Sequence, residues 1–190
     1  MNGDMDRRER RDHANDAGAG GAPRPRAGGN PSAGAPRVVV RPAGPEDAAA
    51  ICTAHKTAMR AKASRHYSRR EIEAFVGRRK VGDYIHAMID GGEAVFVAEF
   101  RGAVKGFSSL KDDEIMAVYS SPDAPAGTGS ALLAAVEAEA RARGVKRVQL
   151  MSTLNAVGFY EKKGYARGGE VDFPMAGGVR LRMVEMGKEL

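Results

Sequence analysis

The part of the chain best equipped for chemistry has almost no side chains. Ser121-Pro-Asp-Ala-Pro-Ala-Gly-Thr-Gly-Ser130 runs directly into the apolar-striped segment ALLAAVEAEARA. A sparse loop that opens into a helix leaves backbone N–H groups unpaired at the positive end of the helix dipole. Such a place suits an anion, phosphate above all. Other reactive residue types are few. His55, His66 and His86 could act as bases, whereas Cys52, the one cysteine, lies among apolar residues and reads as a small core residue. No Cys/His cluster has the spacing of a zinc site, so no metal is expected, and one cysteine allows no internal disulfide.

Three phosphate-binding patterns compete for Gly127-Thr-Gly129. A P-loop needs Gly-Lys-Ser/Thr after four spacers, and the chain contains no such run. A dinucleotide fingerprint needs a third glycine where Leu132 stands, and an acid closing the next strand where Leu150 and Met151 stand. The third pattern depends on the elements that carry the loop.

Residues 1–36 hold no Leu, Ile, Val or aromatic residue, cannot offset their ordering entropy, and are expected to be a disordered tail. A basic arm for nucleic acid is the alternative for this segment, but its six Arg are interleaved with five acids, which cancels the field. Order is expected from residue 37. Val38–Pro42 reads as a strand, and the Ala-rich stretch with Ile51, Ala58 and Met59 reads as a helix. Ser68 with Glu71 makes a capping box for a second helix, and Asp83–Asp90 adds one or two helical turns. AVFVAEF and AVKGFSSL form a hairpin about Arg101-Gly102, and Glu114–Ser120 is a third, mostly apolar strand. In the helix after the Gly loop, Leu132, Leu133, Val136 and Ala140 face one way, and Glu137–Arg141 and Glu139–Arg143 are expected as ion pairs on the other side. Gly144 ends that helix, and Val145–Met151 returns as a parallel strand, which places the anion loop at a strand's carboxyl end. A short helix capped by Ser152 or Thr153 runs through Lys163, and two strands, Tyr165–Phe173 and Gly178–Glu185, close a mixed sheet with helices on both faces.

This order of elements resembles the GNAT superfamily of N-acetyltransferases over residues 37–190. The resemblance is carried by Tyr119-Ser-Ser-Pro-Asp123, Gly127-Thr-Gly-Ser-Ala-Leu-Leu133 and Asn155-Ala-Val-Gly-Phe-Tyr-Glu-Lys-Lys-Gly-Tyr165. It implies an α/β fold with a mixed, mostly antiparallel central sheet, and acetyl-CoA as cosubstrate. The pyrophosphate would lie on backbone N–H groups of Ala124, Ala126, Gly127, Thr128, Gly129 and Ser130, and the pantetheine amides would pair with Ala117, Val118, Tyr119 and Ser120. Thr153 or Asn155 would touch the cosubstrate. Tyr160 matches the family's helix tyrosine, the acid that protonates the departing thiolate. Glu114 is the base if the count runs back from Tyr119-Ser-Ser-Pro, the anchor preferred because the Gly loop is one residue short, and Asp113 if it runs back from Gly127; a water relay is the remaining alternative. The family usually begins its Gly-loop motif with Gln or Arg, where this chain has Ala124.

The expected activity is transfer of an acetyl group to a primary amine of a small-molecule or peptide acceptor, by direct attack in a ternary complex. The alternative is an acyl-CoA-binding or interaction module of the same fold that performs no chemistry. Residues 55–80 carry nine Lys and Arg against two acids, which suits an acidic partner or simply a solvated helix face. No nucleic-acid partner is expected, and the resemblance leaves a homodimer open. With no apolar run of roughly 18 residues and no signal-peptide core, the expected compartment is the cytoplasm, away from membranes.

Overall fold

The structure, a computed structural model, describes residues 37–190; the expected disordered tail over residues 1–36 lies outside the described residues. Seven strands form one sheet in the order β1-β2-β3-β4-β5-β7-β6. Strand β1 (Val39–Pro42) leads through a single 3-10 turn into α1 (Ala48–Lys62), which is followed by α2 (Arg69–Val76) and α3 (Val81–Ile89). The capping box at α2 forms: the Ser68 hydroxyl accepts from the Glu71 N–H, and the Glu71 carboxylate accepts from the Ser68 N–H at 2.7 Å. Asp47 fixes the entry to α1, because its carboxylate accepts two bonds from the Arg41 guanidinium at 2.7 and 3.0 Å, and this partner holds the carboxyl below its ordinary range.

Strands β2 (Ala94–Phe100) and β3 (Ala103–Lys111) pair about the turn Arg101-Gly102, both residues left-handed, as a two-residue hairpin of matching twist demands. Strand β4 (Glu114–Ser120) continues the antiparallel run, α4 (Thr128–Ala142) crosses the sheet, and β5 (Arg147–Thr153) returns parallel to β4. After α5 (Val157–Glu161), β6 (Ala166–Pro174) and β7 (Arg180–Glu189) close the sheet. Helices α1 to α3 cover one face, with Ile51, Tyr84, Val97 and Phe107 in the packing. Helices α4 and α5 cover the other, with Leu133, Val136, Val148 and Tyr160.

Two expectations need correction. The expected pairs Glu139–Arg143 and Glu137–Arg141 form, at 2.8 and 3.9 Å, but Glu137 is not on the solvated side: it is 8% exposed and turns inward, accepting from the Tyr165 hydroxyl at 3.0 Å and Lys188 Nζ at 2.9 Å. It follows Leu133 by one helical repeat and so shares the apolar face; a lysine arriving from β7 makes the burial tolerable. Neither hydroxyl caps the short helix after β5: the Ser152 hydroxyl donates to the Thr153 carbonyl, and a 3-10 turn at Leu154–Ala156 intervenes before α5.

Candidate active site

The site begins with one extra residue in β4. Along the β3–β4 ladder Ser109 faces Ala117 but Leu110 faces Ile115, so Met116 has no partner on β3. A bulge of this kind bends and twists its strand and interrupts the alternation of faces. Ile115 packs with the α4 side, whereas Ala117 and Tyr119 pack with the α1 side, and Met116 is left 38% exposed.

On its other edge β4 meets β5 at a single pair, Glu114 with Gln149, secured by the Gln149 N–H donating to the Asp113 carbonyl at 3.0 Å. Beyond that pair the two strands part. The cleft between them is lined by residues 115–119 of β4, by Met151, Ser152 and Thr153 of β5, and by Ala156 and Tyr160. The β4 backbone facing the cleft has no ladder partner there, an edge that an extended polar chain can complete.

The cleft runs toward the sparse loop. Gly127 sits at φ 87° as the N-cap of α4, and a side chain there would meet nothing within 4 Å. Of the loop N–H groups, Ala124 donates to the Ser121 carbonyl at 3.1 Å and Thr128 to the Pro125 carbonyl at 3.2 Å, and the helix ladder starts only at Ala131. Among the described residues the N–H groups of Ala126, Gly127, Gly129 and Ser130 therefore have no backbone acceptor. Lys62, at the end of α1, was invisible as a site residue in the sequence. Its Nζ donates to the Ser120 carbonyl at 2.7 Å and to the Ser120 hydroxyl at 2.9 Å, so a cation stands at the end of β4 where the loop begins.

Tyr160 lines the cleft, 7% exposed, packed edge-on between Phe159 and Tyr165. Burial pushes its hydroxyl above the ordinary tyrosine range, so the phenol keeps its proton through neutral pH. Thr153 lines the same cleft, and Asn155 stands in the 3-10 turn beyond it with its Oδ1 buried and unpartnered. The Asp113 carboxylate accepts from Gln149 Nε2 at 3.3 Å in the turn before β4, while Glu114 stands where β4 and β5 part.

A second cavity of about 160 Å³ opens on the α1 side and shares Ile115, Met116, Ala117, Tyr119 and Met151 with the cleft. Glu114 stands in its wall with His55, Tyr84 and Phe107. His55 Nδ1 and the Tyr84 hydroxyl share a hydrogen bond at 2.6 Å, and the imidazole lies 4.4 Å from the Tyr119 ring. Burial, reinforced by the positive charges of Arg79, Lys56 and Arg78, pushes the His55 pKa down to about 4. Of the other histidines, His66 is exposed and His86 bonds Asp90 at 3.1 Å on the surface. Cys52 is buried. Among the described residues no group of three or more His, Cys, Asp or Glu side chains is placed to hold a metal ion, and no helix is long and apolar enough to cross a membrane.

The sheet thus opens between two parallel strands next to a glycine loop with unpaired N–H groups at a helix start. The chain belongs to the GNAT acetyltransferases: the model of the acetyltransferase (GNAT) domain matches residues 63–190. It is a GNAT-type N-acetyltransferase. Among solved structures it is similar to a GCN5-related N-acetyltransferase (Aminotransferase, Class-II) from Rhodopseudomonas palustris, with 28% identity and a TM-score of 0.74, over 80% of this chain and 95% of that one. The fold is shared with PaiA N-acetyltransferase from Thermoplasma acidophilum in complex with coenzyme A, at 17% identity and TM-score 0.62, over 81% and 99% of the two chains. It is shared too with YncA, a putative acetyltransferase from Salmonella typhimurium with its cofactor acetyl-CoA, at 22% identity and TM-score 0.58, over 81% and 94%. No curated protein matches the chain in sequence.

Proposed function

We propose that the chain transfers the acetyl group of acetyl-CoA to a primary amine by direct attack in a ternary complex, with Tyr160 as the acid and Glu114 as the base. The observation that carries this reading is the parting of β4 from β5 directly after Glu114, beside the bulge at Met116. It leaves one strand as the common wall of the cleft and the second cavity, which supports assigning acetyl-CoA to the first and the acceptor to the second.

The residues fit acetyl-CoA. Ala126, Gly127, Gly129 and Ser130 offer four N–H groups to the pyrophosphate at the positive end of α4. Ala117 to Ser120 offer a strand edge to the pantetheine amides, with Thr153 across the cleft, Asn155 beyond it and Lys62 adding positive charge. Ala124 and Thr128 have their N–H groups engaged inside the loop and shape it instead. When bound, acetyl-CoA supplies an activated thioester. Glu114 takes the proton of the acceptor ammonium, directly or through a water, so that nitrogen can bond to the acetyl carbon as the carbon–sulfur bond breaks. Tyr160 gives its proton to the departing sulfur, and the second proton, shed by the nitrogen as it becomes an amide, passes through solvent to restore the Tyr160 hydroxyl. Its place in the cleft wall supports this role, since the phenol lies beside the β4 edge that would hold the thioester.

The test is calorimetric titration of acetyl-CoA into the full chain and into Gly129→Glu. A side chain at Gly129 meets nothing closer than Phe159 at 3.7 Å, and a carboxylate in the first turn of α4 favours the helix dipole, so the fold should hold. Micromolar binding by the wild type, weakened at least about tenfold in the variant at unchanged melting temperature, is expected. Absence of binding by the wild type would remove the proposal.

A further inference from the structure

The acceptor-side cavity has a chemistry of its own. Its volume of about 160 Å³ lies below the roughly 300–1,000 Å³ of sites that enclose drug-sized ligands, so it admits a compact group. Phe75, Met116, Phe173 and Met183 supply an aromatic and thioether wall. Met side chains adapt to flat or irregular apolar bodies, and aromatic rings add preferred edge and face contacts.

The charges in the lining are two guanidiniums and one carboxylate. Arg79 is spent: it pairs with Glu93 at 3.0 Å and lies over the Tyr84 ring. Arg78 is different. It is exposed at the cavity mouth, its guanidinium rests over the Phe173 ring at 4.7 Å, and among the described residues it has no acidic partner. The Phe173 ring gives the guanidinium a surface to rest on, and among the described residues its N–H groups have no hydrogen-bond partner, so they are open to a carboxylate in bidentate fashion. The lone acid, Glu114, is already assigned to the acceptor's ammonium proton. A second ammonium on the acceptor would have no carboxylate left to meet and the unpaired Arg78 guanidinium beside it.

Building on the acetyl-transfer reading above, we propose that the acceptor is a compact amine with an apolar or aromatic body and a carboxylate, as in an amino acid with an aromatic or thioether side chain. Arg78 holds that carboxylate at the mouth. The body packs on Phe75, Met116, Phe173 and Met183, and the amine is turned toward Glu114 and the shared wall at Met116 and Ala117.

The experiment measures thiol release from acetyl-CoA by the full chain with L-phenylalanine and L-methionine. Against these stand L-phenylalaninamide and phenethylamine, which lack the carboxylate, and spermidine and a lysine-containing peptide. Each is compared at equal concentration of unprotonated amine. The two amino acids should show kcat/KM about ten- to a hundredfold above their carboxylate-free counterparts. Arg78→Ala should erase that preference through KM, Arg78→Lys should keep part of it, and thermal melts should match the wild type. Turnover of spermidine, the peptide or phenethylamine equal to that of the amino acids would overturn the assignment of the acceptor while leaving acetyl transfer intact. Lack of turnover with every acceptor, in a protein that binds acetyl-CoA by calorimetry, would overturn it too. A failure of acetyl-CoA to bind would instead strike the reading on which it rests.

Discussion

His55 should make this protein lose stability in mild acid, over a pH range where its carboxylates are still charged. In the folded chain the imidazole is 6% exposed, and its pKa lies at about 4 against the ordinary 6.5. The folded pKa is depressed, so the unfolded chain takes up the proton first as pH falls. The stabilisation is fully present above about pH 6.5 and is lost as pH drops through the window from about 6.5 to about 4. At about 1.4 kcal/mol per pKa unit the whole gap is worth about 3 kcal/mol, of which about 2 kcal/mol is gone by about pH 5. For a domain of this size that lowers the melting temperature by roughly 4–8 °C between about pH 7 and pH 5. Asp47, which Arg41 holds below the ordinary carboxylate range, adds its loss only at the acid end of this window and below.

The assay is urea unfolding or thermal melting of the wild type and His55→Gln across this range. Glutamine can keep a hydrogen bond to Tyr84 without taking up a proton. The variant should start less stable and lose far less between about pH 7 and pH 5. A wild-type curve that is flat there, or a His55→Gln curve as steep as the wild type's, would refute the argument. So would an imidazole NMR titration with a midpoint near 6.5.

Two further outcomes are expected. Tyr160→Phe keeps the ring that packs between Phe159 and Tyr165 and removes only the hydroxyl, so kcat for thiol release should fall by about a hundredfold or more with the melting temperature held; a variant of near-normal kcat would return Tyr160 to the core alone. Tyr67→Phe should act on stability instead, because that hydroxyl donates to the Arg182 carbonyl at 2.6 Å and accepts from the Leu154 N–H at 2.8 Å, and leaving both partners unsatisfied costs about 1–3 kcal/mol in denaturant melts.

The parts of this molecule that were legible in the chain are those whose physics is local. Ser68 and Glu71 close a capping box within four residues, Arg101-Gly102 forces a hairpin, and the Gly127 loop leaves the N–H groups of Ala126, Gly127, Gly129 and Ser130 without a backbone acceptor because they open a helix. What stayed hidden depends on partners far along the chain. Glu137 looked solvated because its lysine, Lys188, arrives fifty-one residues later on β7. Lys62 reaches Ser120 across fifty-eight residues, and no helical phase within α1 announces that contact. The cavity on the α1 side draws walls from α1, α2, α3 and five strands, so its lining exists only once the sheet order is set.

The bulge at Met116 was hidden for another reason, and it explains why the site exists. EIMAVYS reads as an unbroken apolar strand, because an inserted residue is visible only against the register of its neighbour on β3. That one residue breaks the alternation so that Ile115 packs on the α4 side while Ala117 and Tyr119 serve the α1 side, and it lies where β4 leaves β5. A regular β4 could have continued its ladder with β5 through Thr153, and the backbone groups now facing the cleft would be spent on the sheet itself. The same strand would then present one continuous face to the α1 side, with no shared wall at Met116 and Ala117 through which two substrates could meet. In the reading proposed above, an interruption in the sheet thus does the work that a cluster of side chains does elsewhere, which accounts for how few reactive residues the loop and strand contain.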